Sequence, residues 1–343
     1  MAKPPLSMTP TGWFQVAWSD EIKAGDVHRM RYFGRDLIAW RAQSGQLTAM
    51  DAYCEHLGAH LGYGGHVVDE VLQCPFHGWQ WDNEGRNVCI PYEDRPNRGR
   101  RIRTYPAVER NEAIYIWHDV DRREPFFDAP DVFASFNDNS SADDYYPQQR
   151  LYREALEMHP QYVLENGVDF AHFKFVHQTP IVPIFTRHDF DDAVSYVDFT
   201  ITFEGDDNQR IEDIDSRVEA INGGLGIAVT KSFGMVDNRT ISAVTPVDDR
   251  TSDVRFMVYI GRQPSRHPER AEAKAREFGL EVIRQFAQDI DIWKHQRYSD
   301  PPALAGSEQQ GFTAIRDWAK QFYPDGIGGS AAEVYAAQRG RTE

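Results

Sequence analysis

Cysteine is scarce in this sequence of 343 residues, which contains three. Three cysteines cannot form the disulfide framework that stabilises small secreted domains. Cys54 and Cys74 lie in short segments that also contain histidine, whereas Cys89 stands apart and is interpreted as a structural thiol. The scarcity predicts a cytoplasmic protein whose thiols stay reduced.

Long apolar runs are also missing. No stretch approaches the roughly 20 apolar residues that a membrane-spanning helix requires. The first residues, MAKPPLSMTPTGW, lack the apolar segment of a secretory signal. We therefore expect neither a membrane span nor secretion.

Positive charge is in short supply. Lys and Arg total 37 against 53 Asp and Glu, which gives a net charge of −16. Nucleic-acid binding depends on clustered cations that contact phosphates. The composition therefore disfavours nucleic acids and anionic membranes as partners, while the length predicts two domains with substantial cores.

Two of the three cysteines are each followed closely by a histidine. Cys54 precedes His56 by two positions, and Cys74 precedes His77 by three. A single buried Cys or His is usually a packing residue, but two such pairs in one window indicate two loops that converge on metal. Zinc is one candidate, although zinc fingers pair like ligands as C-x2-4-C and H-x3-5-H. The mixed pairs favour a [2Fe–2S] centre in which two His replace two Cys on one iron.

The full pattern C-x-H-x17-C-x-x-H-G-W resembles the Rieske domain of ring-hydroxylating and related non-haem iron oxygenases. The resemblance covers about the first third of the chain and implies that the four residues named above hold the cluster. Respiratory Rieske proteins add two cysteines that form a disulfide bracing the loops. Those positions hold Ala59 and Phe76 here, which favours an oxygenase over a membrane electron carrier.

Short apolar runs punctuated by Gly, Asn and Asp predict an all-β domain over residues 10–120. A Pro-, Asp- and Ser-rich connection over 121–147 and a catalytic domain over 148–343 follow, which gives an α+β chain whose second domain has an antiparallel sheet flanked by helices. The elements predicted for the second domain are a helix over 162–176, strands over 195–205, 227–233, 239–246 and 253–261, a long helix over 268–297 and a short helix over 331–337.

A second motif, D-x2-H-x4-H, comprises Asp169, His172 and His177. It resembles the mononuclear-iron motif of the same family, in which two imidazoles and one carboxylate occupy one face of Fe(II). Residues five apart on a regular helix are rotated by about 140°, so both histidines reach one iron only if the helix ends or bulges between them. We therefore predict irregular backbone near residues 173–176.

The third iron ligand is predicted from the long helix, where Asp289 and Asp291 are the alternatives. Asp289 falls within an apolar stripe with Phe286 and Trp293, whereas Asp291 falls on the polar side. A carboxylate in an apolar environment needs a cation, and the resemblance also selects the Asp that follows Gln in QDIDIW. Asp289 is the predicted ligand, with a buried Asp–Arg pair as the alternative.

Two further expectations follow from the resemblance. The matching Asp of the family hydrogen-bonds an iron-site histidine and a cluster histidine of the neighbouring subunit, so Asp169 is expected to carry electrons between subunits of a homotrimer. Asn166 either lines the iron site or begins the helix.

The expected function is that of a terminal oxygenase component, which uses O2 and externally supplied electrons to hydroxylate a hydrophobic substrate. The glycines of 223–226 lack the context of a nucleotide-binding motif, so a separate NAD(P)H-dependent reductase or a ferredoxin is expected. The chain resembles the oxygenases that include 3-ketosteroid 9α-hydroxylases and cholesterol 7-desaturases, which implies a steroid-like substrate. An aromatic hydroxylase or O-demethylase and a Rieske electron carrier are the alternatives.

Overall fold

A computed structural model describes residues 6–203, 214–234 and 236–323. Eighteen strands and four α-helices form within these residues. The strands are β1 Gly12–Trp18, β2 Val27–Tyr32, β3 Arg35–Arg41, β4 Leu47–Asp51, β5 His66–Val68, β6 Val71–Gln73, β7 Gln80–Trp81, β8 Asn87–Cys89, β9 Thr104–Tyr105, β10 Ala107–Arg110, β11 Ala113–His118, β12 Gln149–Leu156, β13 Ile184–Asp191, β14 Val194–Phe203, β15 Ile214–Gly223, β16 Ile227–Phe233, β17 Asn238–Pro246 and β18 Ser252–Ile260. The helices are α1 Pro160–Asn166, α2 Ala171–Phe175, α3 Pro268–Trp293 and α4 Gln309–Ala319.

The first eleven strands form three small antiparallel sheets, in the orders β1-β11-β10, β2-β3-β4-β9 and β5-β6-β7-β8. β11 has the sequence AIYIWH and is buried along its whole length, because it is the central strand of its sheet and is covered on both faces. Cys89 lies in β8 and Cys74 lies in the loop between β6 and β7. Cys54 lies in the loop that leads from β4 into β5. The predicted all-β character of this region is confirmed.

The later strands form one seven-stranded antiparallel sheet in the order β12-β18-β17-β16-β15-β14-β13. Strands β17 and β18 are buried almost throughout, since they lie inside the sheet and α3 packs across β18 and β12. The four strands predicted for this region are confirmed within one residue at each end that the structure describes. The predicted end at residue 205 lies outside the described residues. The predicted long helix is also confirmed, although it ends at Trp293 rather than at residue 297.

The prediction of one continuous helix over 162–176 is wrong. The segment instead forms α1 and α2, which are separated by residues 167–170. The helix predicted over 331–337 lies outside the described residues.

The two regions share one hydrophobic core. Trp13 and Trp117 of the first region pack against Ile241 and Met257 of the large sheet, and β1 contacts β17 and β16. The segment between the regions contributes buried residues to the same core, among them Val132. The predicted domain limits at 120 and 147 therefore stay a prediction.

Among the described residues, no helix is both long and apolar enough to span a bilayer.

Candidate metal centres

The two cysteine–histidine loops have the same backbone design. In each, the glycine four positions after the cysteine donates its N–H to the cysteine carbonyl, over 2.9 Å from Gly58 to Cys54 and 3.1 Å from Gly78 to Cys74. Both glycines are left-handed, with φ of 76° and 72°, a conformation that L side chains rarely adopt. These glycines allow each loop to turn tightly around its cysteine–histidine pair.

The four predicted cluster ligands come together as two like pairs. The thiols of Cys54 and Cys74 contact each other and are 2% and 3% exposed. The rings of His56 and His77 lie 4.8 Å apart between centroids. Two thiols beside two imidazoles form the donor set of a [2Fe–2S] centre in which one iron has Cys ligands and the other His ligands.

Two chemical features of these side chains fit a bound cluster. His77 Nδ1 is buried without a hydrogen-bond partner among the described residues, and a metal would satisfy it. The pKa of Cys74 is lowered to about 6, chiefly by its hydrogen bond with Cys54, while the same hydrogen bond raises the pKa of Cys54. The pair thus retains one thiolate readily, and thiolate is the form that binds metal.

The histidine side of this centre reaches the protein surface. The Trp79 ring stacks on His56 at 4.3 Å with an interplanar angle of 5°. Leu57 and Phe76, each next to a histidine, are 65% and 61% exposed. The thiols therefore lie inside and the imidazoles lie near solvent, where an electron donor or acceptor can approach.

The second centre forms where α2 ends beside the last turn of α3. One ligand atom each from His172, His177 and Asp289 lies within 4.8 Å of the others. Helix α2 ends at Phe175, so His177 leaves the helical path and returns toward His172. The predicted helix end between the two histidines is confirmed.

Hydrogen bonds set the orientation of both imidazoles. His172 Nδ1 contacts the backbone carbonyl of Asp169, which makes Nε2 the ring nitrogen that can bind metal. His177 Nδ1 lies 3.4 Å from Gln288 Oε1, and its Nε2 lies 3.3 Å from Asp289 Oδ2. A histidine that binds metal usually donates the N–H of its other ring nitrogen to an acceptor. This hydrogen bond fixes the tautomer and the orientation of the ring.

Asp169 acts on His172 in a different way from the expected one. Within the chain, its backbone carbonyl contacts the imidazole, while its carboxylate Oδ1 accepts from the His172 backbone N–H at 3.3 Å. The role of that carboxylate toward a neighbouring subunit stays a prediction. Asn166 Nδ2 lies 3.3 Å from His172 Nε2, so this residue lines the centre.

Asp289 and Asp291 of α3 differ in solvent exposure, as the apolar stripe of the helix predicts. Asp289 is 5% exposed, whereas the side chain of Asp291 is 73% exposed and pairs with Lys294 at 2.7 Å. Burial lowers the pKa of His172, and the Asp289 carboxylate opposes that shift. A divalent cation would neutralise the charge of the buried carboxylate beside the two imidazoles. The three side chains also match the two-His, one-carboxylate ligand set of Fe(II).

A buried ion pair supports the centre and was not predicted. Glu165 accepts from Arg316 of α4 at 2.9 and 2.8 Å, and it also accepts from Gln161 at 2.7 Å. The pair fixes α1, whose last residue is Asn166, against α4. The partners are 151 positions apart, so no local sequence pattern reveals them.

Two family models match different parts of this chain. A Rieske [2Fe–2S] domain matches residues 12–106, and a 3-ketosteroid 9alpha-hydroxylase C-terminal domain matches residues 116–323. The first match covers the two cysteine–histidine loops, and the second covers the histidine–aspartate centre. The protein is therefore a Rieske-type non-haem iron oxygenase, a class that contains a [2Fe–2S] cluster and a mononuclear iron.

Within that class, the chain belongs to the family of the 3-ketosteroid 9alpha-hydroxylase C-terminal domain. It is similar to the oxygenase component of 3-ketosteroid-9-alpha-monooxygenase from Rhodococcus rhodochrous, with 26% identity over 92% of this chain and 84% of the relative. It is also similar to cholesterol 7-desaturase from Bombyx mori, with 29% identity over 92% of this chain and 70% of the relative.

Solved structures share the fold. Dicamba monooxygenase bound to 3,6-dichlorosalicylic acid aligns with a TM-score of 0.70 and 16% identity over 92% of this chain and 97% of that chain. NdmA of Pseudomonas putida CBB5 with caffeine aligns with a TM-score of 0.63 and 18% identity over 93% and 96% of the two chains. The α+β architecture predicted from the sequence is confirmed.

Proposed function

We propose that this chain is the terminal oxygenase component of a system that hydroxylates a steroid-like substrate with O2. The convergence of His172, His177 and Asp289 within 4.8 Å carries the proposal, because an electron carrier has no use for an open second metal site. The printed functions of the curated relatives, a 3-ketosteroid monooxygenase and a cholesterol desaturase, support the substrate class.

We assign the ligands residue by residue. Cys54, His56, Cys74 and His77 hold the cluster, and His172, His177 and Asp289 hold the iron. Bound iron would supply the activation of O2 for attack on a C–H bond. The chain itself fixes the imidazole tautomers, supplies one buried carboxylate and limits the access of water.

Aromatic and aliphatic side chains beside the iron ligands support a hydrophobic substrate. The Phe173 ring lies 5.7 Å from the His177 ring and 5.0 Å from that of Phe199. Phe185 and Val218 pack against the same cluster. These apolar side chains beside the iron ligands support an apolar substrate such as a sterol, since burial of its surface contributes about 25 cal/mol per Å².

Electrons reach the cluster from a separate NAD(P)H-dependent reductase or ferredoxin in this proposal. The subunits form a homotrimer, and Asp169 links the cluster of one subunit to the iron of the next. The exposed loop tips at Leu57 and Phe76 support an exchange of electrons near the surface. The three free cysteines suit a reducing cytoplasm.

The test of substrate class is a turnover screen. The purified protein is supplied with a surrogate reductase, NADH and a panel of sterols, 3-ketosteroids and aromatic acids, and products are identified by mass spectrometry. We expect oxygen-dependent oxidation of at least one steroid. Oxidation of aromatic acids alone would overturn the substrate assignment and leave the oxygenase assignment intact.

A matched pair of variants tests the iron ligand. Asp289→Asn should lose mononuclear iron and reduce turnover by roughly 100-fold or more, with an unchanged visible spectrum of the cluster. Asp291→Asn changes an exposed residue two positions away and should retain both iron and turnover. Equal activity in the two variants would remove Asp289 from the site.

A further inference from the structure

A loop rich in arginine lies beside the cysteine–histidine centre. It joins β8 to β9 over residues 90–103 and has five arginines against two carboxylates, a net charge of +3 in a chain whose total is −16. The arginines are Arg95, Arg98, Arg100, Arg101 and Arg103. All but the last are exposed. A positive segment on a strongly acidic protein is a candidate surface for an anionic partner.

Two contacts hold this arginine loop against the histidine side of the centre. Arg100 pairs with Glu55, the residue directly before His56, at 3.7 Å. The Tyr92 hydroxyl accepts from Trp79 Nε1 at 2.8 Å, and the Trp79 ring stacks on His56. The loop therefore borders the imidazoles, which is the side where electrons enter in the proposed function.

The backbone of the arginine loop is fixed by hydrogen bonds. Asn97 donates its backbone N–H to Asn87 Oδ1 at 2.8 Å. Asn87 is 4% exposed, and its amide donates to two backbone carbonyls of the β5–β8 sheet. Arg101 Nε donates to the Glu84 carbonyl at 2.8 Å. These contacts hold the neighbouring arginines at defined positions on the surface.

The charges of Arg95 and Arg98 are not neutralised within the part of the chain that the structure describes. Neither side chain makes an ion pair or a hydrogen bond there. At about 3.6 Å per residue, Arg98 lies at most about 7 Å from Arg100, and Arg95 at most about 11 Å from Tyr92. The Debye length at physiological ionic strength is about 8 Å. Both charges therefore act on the histidine side of the centre.

Exposed apolar side chains complete the same surface. Leu57 and Phe76 are 65% and 61% exposed, and Tyr92 is 58% exposed. Aromatic residues and arginine are enriched in protein–protein interfaces, and the interfaces of electron-transfer complexes are small. This combination fits a small protein that carries negative charge around its own redox group.

We propose that Arg95, Arg98 and Arg100 dock an acidic electron-donor protein on the His56 side of the centre. The inference rests on the proposed function, in which a separate protein supplies the electrons. In the docked complex one electron passes from the reduced donor to the [2Fe–2S] centre, so the donor is oxidised and the centre is reduced. Attraction between the arginines and carboxylates of the donor speeds the encounter and fixes its orientation.

Binding is tested with the oxidised holoprotein and an acidic [2Fe–2S] ferredoxin of the plant type, by titration calorimetry at low and at physiological ionic strength. The test variant combines Arg95→Glu with Arg98→Glu. The control combines Arg270→Glu with Arg276→Glu, because these arginines are also exposed and make no ion pair among the described residues. They belong to α3, which packs on the large sheet, and both variants change the net charge equally.

The test variant should bind ferredoxin about tenfold more weakly at low salt, whereas the control should keep its affinity within about twofold. The affinity of the unsubstituted protein should fall as salt rises, because salt screens exposed charges, and this measurement needs no variant. Equal affinities of the two variants, no effect of salt, or no binding by the unsubstituted protein at low salt would overturn the proposal.

Small redox ions test the same charges without a protein partner. The centre is reduced with dithionite and reoxidised by ferricyanide, an anion, while its absorbance is followed by stopped flow. Reoxidation should be slower in the test variant than in the control. With tris(phenanthroline)cobalt(III), a cation, the order should reverse. Equal rates in the two variants with both ions would contradict a positive potential at this side of the centre.

Light scattering distinguishes the donor from a second copy of this chain as the occupant. If the test variant dissociates into smaller species while it binds ferredoxin as the control does, the arginine loop belongs to a contact between subunits and the proposal is overturned. An unsubstituted chain without any cluster spectrum would instead refute the cluster assignment, so the two failures are distinguishable.

Discussion

Gln288 shows at the residue scale how one side chain prepares a metal ligand. Its Oε1 lies 3.4 Å from His177 Nδ1, and it is the residue immediately before Asp289 on α3. A ring nitrogen that donates to this amide oxygen leaves the other nitrogen for metal. The end of α3 therefore supplies both the predicted ligand Asp289 and the amide of Gln288, which orients the second ligand, His177.

Replacement of Gln288 should weaken iron binding without removing a ligand. We expect Gln288→Leu to lower iron affinity by about 10–100-fold, measured by competition with a chelator, while Gln288→Glu retains an acceptor and recovers most of it. Gln285→Leu is the control, since Gln285 bonds Glu281 and not the histidine. Iron affinity equal to that of the unsubstituted protein in Gln288→Leu would rule out the orienting role.

Helix α1 depends, at the element scale, on a buried histidine at its start. His159 Nδ1 accepts from the Gln161 backbone N–H at 3.0 Å, and Nε2 lies 2.9 Å from the Ser7 carbonyl. Both contacts are satisfied only by the neutral ring, with its proton on Nε2. Burial lowers the pKa of His159 to about 4, so the folded protein resists its protonation.

This histidine should make stability depend on pH. Its pKa is lower in the folded state than the usual 6.5, so its contribution is fully present above pH 6.5 and is lost as the pH falls toward 4. Between pH 7 and pH 5 this group should lower the free energy of unfolding by about 2 kcal/mol. The variant His159→Asn retains a capping side chain. When urea unfolding is measured at both pH values, its free energy of unfolding should fall by about 2 kcal/mol less than that of the unsubstituted protein.

If His159→Asn lost as much unfolding free energy between pH 7 and pH 5 as the unsubstituted protein, the neutral cap would not be the cause.

The elements also show which parts of the fold a sequence pattern can reveal. Asp289 was distinguished from Asp291 because helical periodicity places one with Phe286 and the other toward solvent, and the structure gives the same division. The end of α2 before His177 followed from the requirement that both histidines reach one metal. In these cases local geometry, together with the family resemblance that identifies the iron motif, decides the outcome.

Other elements depended on distant partners and were missed. Strand β13 exposes most of its side chains, and β12 is exposed along much of its length, so neither has the alternation of a half-buried strand. Ladders to β14 and β18 hold them in place. The Glu165–Arg316 pair was missed for the same reason, since its contacts form only in the folded chain.

The whole molecule is held together by a shared core and by a polar network across it. Arg255 of β18 donates to the Val16 carbonyl and to the Tyr32 hydroxyl, and Tyr32 in turn donates to Asp253. Arg255 is 5% exposed, so removal of either partner would leave a buried polar group unsatisfied. The cluster-bearing sheets and the large sheet therefore depend on each other.

This dependence predicts cooperative unfolding. Loss of cluster absorbance and loss of far-ultraviolet circular dichroism should share one midpoint in urea, because neither region retains its core alone. Arg255→Met should shift both midpoints together to lower urea. Two separate midpoints, with the cluster lost first and the large sheet intact, would show that the regions fold independently.

If one chain holds two kinds of iron centre, iron analysis together with an assay of acid-labile sulfide should find three irons and two sulfides per chain. Two of the irons and both sulfides would belong to the cluster. His172→Ala should retain two irons, both sulfides and the visible spectrum of the cluster, with no turnover. An unsubstituted chain that binds two irons at most, or a His172→Ala variant that loses the cluster with the third iron, would contradict it.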